Sequence, residues 1–245
     1  MDGLQAVAGT ANPERSADLV FVHGLGGGPR TTWMRDPKDD ATFWPAWLAA
    51  DFASSLGVWT LGYAADVSAW QRESMPLADR GNAVLEQLVN ERLGERALIF
   101  VAHSLGGILV KQILNAAESQ GVPRWQRIAQ ATRGIAFIAT PHSGANIASF
   151  ASFVGSVLRP NEPVEDLRAH EPHLRELHGW FLNTYLQRHA VVCRTYCERR
   201  ELRPELFLGL KLPKGIVVVD ATSAEPNIRG ERAIPLDEDH SSICK

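Results

Sequence analysis

The stretch VAHSLGG at positions 101–107 places a serine between small residues, directly after an apolar run and at the start of a helical pattern. A serine lifted out on a sharp strand-to-helix turn is a nucleophile elbow, with the pattern G-x-S-x-G. Ala102 stands in the first glycine position and Gly106 in the second. Because both are small, the motif predicts Ser104 as a nucleophile for acyl transfer.

A serine hydroxyl is a weak nucleophile until a base removes its proton, and a carboxylate must orient that base. The chain order that accompanies this elbow is Ser, then Asp or Glu, then His. His240, in LDEDHSSICK, is the predicted base. Four earlier histidines are predicted to be surface or structural residues, because His is mostly exposed or partly buried in proteins: His170, His173, His178 and His189.

The carboxylate member of the triad has more than one candidate. Glu198 ends the apolar run AVVCRTYCE, and the carboxyl ends of parallel strands carry catalytic groups. Asp220 ends the next run, GIVVVD, and Glu225 follows a few residues later. Glu198 is preferred, with Asp220 as the alternative acid.

A glycine-rich stretch, FVHGLGGGPRTTW at 21–33, calls for a backbone that approaches a ligand closely. It lacks the Lys of a phosphate-binding loop, and Pro29 occupies the third glycine position of the dinucleotide fingerprint. The remaining interpretation is an oxyanion loop, in which the N–H groups of Leu25 and Leu105 hold the developing charge. His23 is then predicted to brace the loop.

The elements that position these residues follow an alternation of short apolar runs and helical patterns, which is typical of a parallel α/β sheet. Several runs are apolar at consecutive positions, as in strands covered on both faces. The predicted strands are 17–24, 57–63, 97–104, 133–140, 190–198 and 215–220, with a weaker one around 4–8.

Helical patterns cover 43–55, 77–93 and 105–119. Pro45 falls in the first turn of the first helix, where proline is tolerated. Residues 143–189 are too long for a simple crossover and predict a helical cap over the substrate site. Since no linker divides the chain, we expect a single domain over residues 1–245.

Composition narrows the classes of function. A net charge of −3 gives no basic surface for nucleic acid, and the apolar runs are too short for a transmembrane helix. The first residues lack the pattern of a signal peptide. The three cysteines form no disulfide framework, so we expect a reducing, cytoplasmic location. The CxxxC spacing in CRTYC lacks companion ligands, and no metal is expected.

Four segments, DLVFVHGLGGGPRTTW, IFVAHSLGGILVKQIL, IAFIATPHSGA and IPLDEDHSSICK, together resemble the serine-active-site (SERAC1-like) lipase/esterase group of the α/β-hydrolases. The resemblance implies an α/β-hydrolase fold with a mostly parallel central sheet and helices on both faces. It also implies a triad of Ser104, Glu198 and His240 that needs no cofactor. The cap region matches the group poorly.

The same resemblance implies a carboxylic ester substrate, with a lipid or phospholipid acyl ester preferred. A protease or an acyltransferase would use the same triad. A third alternative is an effector or interaction domain, because hydrolase units of this group are joined to signalling ATPase or repeat modules. The apolar segment 147–158 is consistent either with an acyl pocket or peripheral membrane contact, or with an ordinary packed helix.

Overall fold

The computed structural model describes residues 3–52, 55–63, 65, 77–142, 171–202 and 217–245. Among these residues no helix is both long and apolar enough to cross a membrane. The predicted segment 147–158 and most of the predicted cap lie outside the described residues.

A seven-stranded sheet with the order β1-β3-β2-β4-β5-β6-β7 forms the centre of the molecule. All neighbouring strands run parallel except β1, which pairs antiparallel with β3 at one edge. The strands are β1 (Gly3–Ala8), β2 (Ala17–Val22), β3 (Leu56–Gly62), β4 (Ala97–His103), β5 (Thr132–Ile138), β6 (Val192–Glu198) and β7 (Ala233–Leu236). The predicted α/β class, the weak first strand and five further strands are therefore confirmed.

Helices cover both faces of the sheet. They are α1 (Trp44–Asp51), α2 (Leu77–Asn90), α3 (Leu105–Ser119), α4 (Pro123–Ala131), α5 (Glu171–Trp180), α6 (Leu186–Arg188) and α7 (Ala221–Ala224). A π-helical turn, Phe181–Tyr185, joins α5 to α6, and 3₁₀ turns lie at Thr31–Trp33, Asp40–Thr42 and Ser242–Cys244. The three predicted helices are confirmed as α1, α2 and α3, whereas α4 was not predicted.

Alternate residues of the central strands enter two separate cores. In β2, Leu19 and Phe21 pack in one core, which also receives Ala49 of α1. Val20 and Val22 pack in the other, against α2, α3 and α4. Burial on both faces explains why these strands read as unbroken apolar runs.

The predicted strand at 215–220 is wrong over its described part, because residues 217–220 form a bend that leads into α7. The position beside β6 is taken by β7 instead. Val218 and Val219 are buried, so the apolar character of this run reflects core packing without strand pairing. A short apolar run cannot distinguish these two states.

Candidate active site

Ser104 occupies the turn between the end of β4 and the start of α3. Its φ of +53° and ψ of −123° lie in a region that side chains rarely adopt, as expected for a strained elbow. The backbone N–H of Ser104 donates to the carbonyl of Ile138 at 2.8 Å, which fixes the turn to β5. The side chain is 2 % exposed.

Two glycines let the elbow pack closely against its neighbours. A Cβ on Gly106 would lie 2.4 Å from the carbonyl oxygen of Val22 and 2.5 Å from that of His23. One on Gly107 would lie 2.2 Å from the Thr140 hydroxyl. These approaches leave no room for a side chain at either position. The absence of a side chain therefore allows the start of α3 to pack directly against the backbone at the end of β2 and against Thr140.

His240 connects Ser104 to a carboxylate. Its Nε2 lies 3.0 Å from the Ser104 Oγ, and its Nδ1 lies 2.9 Å from the Glu198 Oε2. His240 is 3 % and Glu198 2 % exposed. The three predicted residues, which come from positions far apart in the chain, thus form one continuous chain of hydrogen bonds in a water-poor environment.

Glu198 is the last residue of β6, and both of its oxygens have partners. Oε2 faces His240, while Oε1 accepts the backbone N–H of Val219 at 2.7 Å. The alternative acid, Asp220, is exposed and caps α7 by accepting the Ser223 N–H at 2.7 Å. The bend at residues 217–220 thus supports the Glu198 carboxylate at the end of β6 through the Val219 N–H. The Asp220 carboxylate is engaged separately, as the cap of α7.

The loop that carries His240 is held by short-range hydrogen bonds. The Asp239 carboxylate accepts the N–H groups of Ser241 and Ser242, each at 2.9 Å. The carbonyl of His240 accepts a bond from the His103 Nε2 at 2.9 Å. Sequence reasoning missed this role of His103, which depends on a contact between residues distant in the chain.

The predicted oxyanion loop passes directly over Ser104. A Cβ on Gly24 would lie 2.8 Å from the Cβ of Ser104. Gly26 adopts a φ of +65° and its N–H donates to the Ala65 carbonyl at 2.8 Å. The N–H groups of Leu25 and Leu105 donate to no acceptor within the described ranges. Within these ranges both donors are therefore unengaged, and Leu105 directly follows Ser104 in the chain.

His23 contributes to the shape of the loop. Its Nδ1 lies 2.9 Å from the Gly24 carbonyl, and its ring stacks on Tyr63 with 4.4 Å between centroids. The Tyr63 hydroxyl donates to the His23 carbonyl at 2.6 Å, and burial raises the pKa of Tyr63 above its usual range. The bracing role predicted for His23 agrees with these contacts.

The residues PRTTW that follow the glycines anchor the far end of the loop. Trp33 is fully buried, with its ring edge against Phe21 at 5.1 Å between centroids. The Thr32 hydroxyl accepts the Gly28 N–H at 3.1 Å. A buried aromatic residue and a hydroxyl thus limit the freedom that the glycines introduce.

A cleft of about 200 Å³ opens beside His240. Its lining residues include Leu25, His103, His240, Cys244 and Lys245. Both a predicted oxyanion donor and the predicted base therefore border the same space. Among the described residues no group of three or more His, Cys, Asp or Glu is arranged to hold a metal ion.

A second group of buried titratable side chains lies behind the elbow. The Lys111 Nζ, on α3, donates to the Nδ1 of His142 at 2.8 Å and to that of His178 at 3.1 Å. The rings of Phe137 and Phe181 lie 5.4 and 5.7 Å from the same nitrogen. Burial lowers the pKa of Lys111 to about 7 and that of His178 to about 3.

Comparison with known proteins shows clear relatives. No family model matches the sequence. The chain is 34% identical over 254 residues to Protein SERAC1 of Danio rerio and 30% identical over 247 residues to that of Homo sapiens. These alignments cover 96% and 94% of the chain, but 37% and 36% of the relatives. The chain thus spans about a third of the length of these proteins.

Two solved structures resemble the whole chain. A carboxylesterase of Nitrososphaera gargenis matches with a TM-score of 0.52 and 13% identity, covering 98% of this chain and 88% of that one. RedJ matches with a TM-score of 0.51 and 13% identity, covering 98% and 87%. At these identities the likeness is one of fold.

Proposed function

We propose, for a chain that is homologous to the SERAC1 proteins and has the α/β-hydrolase fold, that it is a serine hydrolase of carboxylic esters. The observation that carries the proposal is the buried chain of hydrogen bonds from Ser104 through His240 to Glu198. The same constellation of nucleophile, base and orienting carboxylate recurs on unrelated folds and is recognised by its geometry.

In the acylation step, the Ser104 Oγ attacks the ester carbonyl and its proton passes to the His240 Nε2. Glu198 accepts the Nδ1–H of His240, which fixes the tautomer with a free Nε2 lone pair and stabilises the imidazolium that forms. The protonated His240 then donates its Nε2 proton to the leaving alkoxide, and the acyl group stays on Ser104.

The oxyanion of the tetrahedral intermediate is held by the N–H groups of Leu25 and Leu105. Both N–H groups belong to the main chain, and neither donates to an acceptor among the described residues, so no such bond is lost when they bind the oxyanion. One such donor contributes about 3 to 4 kcal/mol to the stability of the transition state.

Deacylation repeats the sequence with water. His240 removes a proton from a water molecule as the water oxygen attacks the acyl-enzyme carbonyl, and the proton then returns to the Ser104 Oγ. The products are the free acid and the regenerated enzyme.

For the substrate we propose an acyl ester of a lipid or phospholipid, a class supported by the sequence resemblance. The triad itself accepts any activated acyl group, so the alcohol portion and the chain length depend on the walls of the substrate cleft.

The proposal is tested with Ser104→Ala, using hydrolysis of a short p-nitrophenyl ester and covalent labelling by a fluorophosphonate. We expect both to be lost in this variant. Ser119→Ala, the same change at the exposed far end of α3, serves as the matched control and should retain both. Undiminished hydrolysis by the Ser104→Ala protein would contradict the proposal.

A further inference from the structure

His103, the residue before Ser104, is buried, and it takes no part in the hydrogen bonds that connect Ser104, His240 and Glu198. It is 7 % exposed and lies at the end of β4. Its ring is tilted against that of His240, with 4.9 Å between the centroids. It therefore touches the segment that carries the proposed base.

The hydrogen bond of His103 fixes its tautomer. Its Nε2 lies 2.9 Å from the carbonyl oxygen of His240, which can only accept. The Nε2 must therefore carry the proton, and the side chain acts as a donor to the main chain of the base.

The other nitrogen of His103 faces a different loop. The Nδ1 is buried without a hydrogen-bond partner among the described residues, and it lies 3.1 Å from the point that a Cβ on Gly24 would occupy. Burial, followed by the neighbouring charge of His240, lowers the pKa of His103 well below its usual range. His103 is thus a neutral side chain that packs between the proposed oxyanion loop and the loop that carries His240.

This contact is important because His240 must satisfy two partners at once. Its imidazole spans Ser104 at 3.0 Å and Glu198 at 2.9 Å. The remaining main-chain bonds of this segment come from residues 199–200, which donate to the Glu238 carbonyl, from Trp44, which donates to the Cys244 carbonyl, and from within the loop itself. Among the hydrogen bonds of the described residues, that of His103 is the one that joins the loop to β4.

We propose that His103 is a positioning residue, whose Nε2–H holds the backbone of His240 so that the imidazole stays in register with Ser104. This inference rests on the proposed function, since it concerns the same base. A displacement of about 1 Å at a reacting group costs about 100-fold in rate, so loss of the donor should act on kcat.

Three substitutions at this position separate the donor from the packing. The amide nitrogen of His103→Gln is as many bonds from the Cβ as the His Nε2, so it can reach the His240 carbonyl. The amide of His103→Asn is one bond shorter and cannot reach it, and His103→Phe keeps a ring without a donor. We expect kcat for a p-nitrophenyl ester to fall about 10- to 100-fold in the Phe and Asn variants.

The Gln variant should stay within about threefold of the wild type, and KM should change by less than about twofold in all three. Urea unfolding of each variant shows whether the fold is retained. Wild-type kcat in the Phe variant would overturn the inference, and so would an equal loss in Gln and Phe. Activity that survives Ser104→Ala would instead refute the proposed function, which keeps the two failures distinct.

Discussion

Both oxygens of the Glu198 side chain are engaged, one by the proposed base and the other by a backbone N–H of the bend after residue 217. Replacing it by an amide keeps the volume but presents an N–H₂ group to one of two donors. In Glu198→Gln the imidazole loses the acceptor that holds its productive tautomer, and kcat should fall by about 100- to 10,000-fold.

The matched variant for this prediction is Asp220→Asn, the alternative acid from the sequence. Asn caps a helix about as well as Asp, so we expect unchanged kcat and a change in stability below about 0.5 kcal/mol. Steady-state kinetics of both variants decides between them. A loss confined to Asp220→Asn would show that the carboxylate has been assigned incorrectly.

A candidate site residue could be predicted from the sequence where a short motif or the end of a strand marks its position. The elbow, the late histidine and the strand-end Glu198 are of this kind, and the structure brings them together. The role of His103 was not predictable, because its partner lies 137 positions away in the chain. Likewise, no local sequence pattern predicts the hydrogen bond from the Val219 N–H to Glu198.

At the level of elements, the start of α3 has no spare volume under the loop that follows β2. Gly106→Ala would place a methyl group 2.4 Å from a backbone carbonyl oxygen, and the backbone cannot yield as a flexible side chain would. We expect a loss of about 1 to 3 kcal/mol in the free energy of unfolding, together with reduced activity.

A second glycine offers the control. Gly179 in α5 has no atom within 4 Å of an added Cβ and no positive φ. Gly179→Ala should raise stability by about 0.5 to 1 kcal/mol, because alanine is the better helix former. Chemical unfolding measures both, and a stable, fully active Gly106→Ala protein would contradict the packing argument.

The buried group of Lys111, His142 and His178 joins three parts of the fold, namely α3, the loop that follows β5, and α5. Because Lys111 is titratable and buried, this group makes stability depend on pH. The pKa of Lys111 is lowered from 10.5 to about 7 by burial, while His142, His178 and the neighbouring Cys193 face it as neutral groups. Above pH 7 this lysine is protonated in the unfolded chain but not in the folded one, so stability should rise with pH from about 7 to about 9. Above about pH 9 the raised pKa values of the buried thiols Cys193 and Cys244 act in the opposite direction.

In Lys111→Met this rise should disappear. The variant should also be less stable than the wild type at each pH, because the buried Nδ1 atoms of His142 and His178 lose their donor. Lys38→Met, on the exposed surface, should retain the rise. The measurement is urea unfolding across this pH range. An unchanged pH dependence in Lys111→Met would show that the amine is not the group that titrates.

Whole elements were predicted best where burial on both faces produces a long apolar run, as in β2 and β4. The failures have specific causes. The run at 215–220 is apolar because its valines fill a core, whereas β7 contains only AIPL and sits at the edge of the sheet. The helix α4 begins at Pro123, the last residue of QGVP, and turn-forming residues of this kind do not by themselves predict the start of a helix.

At the scale of the whole molecule, the end of the chain is fastened to its first half. The Trp44 Nε1–H donates to the carbonyl of Cys244 at 2.9 Å, across 200 positions of sequence. Lys245 donates to the carbonyls of Thr31 and Met34, both at 3.1 Å. These bonds hold the 3₁₀ turn that immediately follows His240.

Trp44→Phe keeps an aromatic ring against Phe21 but removes the donor to Cys244. An acceptor left without its partner costs about 1 to 3 kcal/mol, which lowers Tm by roughly 2 to 12 °C in a chain of this size. Trp47→Phe, in the same helix but 55% exposed, should change Tm little. A thermal melt of both proteins tests this, and equal shifts would argue against the anchoring role of Trp44.

The separation of the proposed nucleophile from the proposed base also has a consequence for synthesis. The two residues lie 136 positions apart, so Ser104 emerges long before His240 exists. At about 5 to 20 residues per second, a ribosome needs roughly 7 to 27 seconds to make the intervening chain. Throughout that interval the nascent polypeptide carries an elbow that cannot yet be activated, and it should not attack the esters around it.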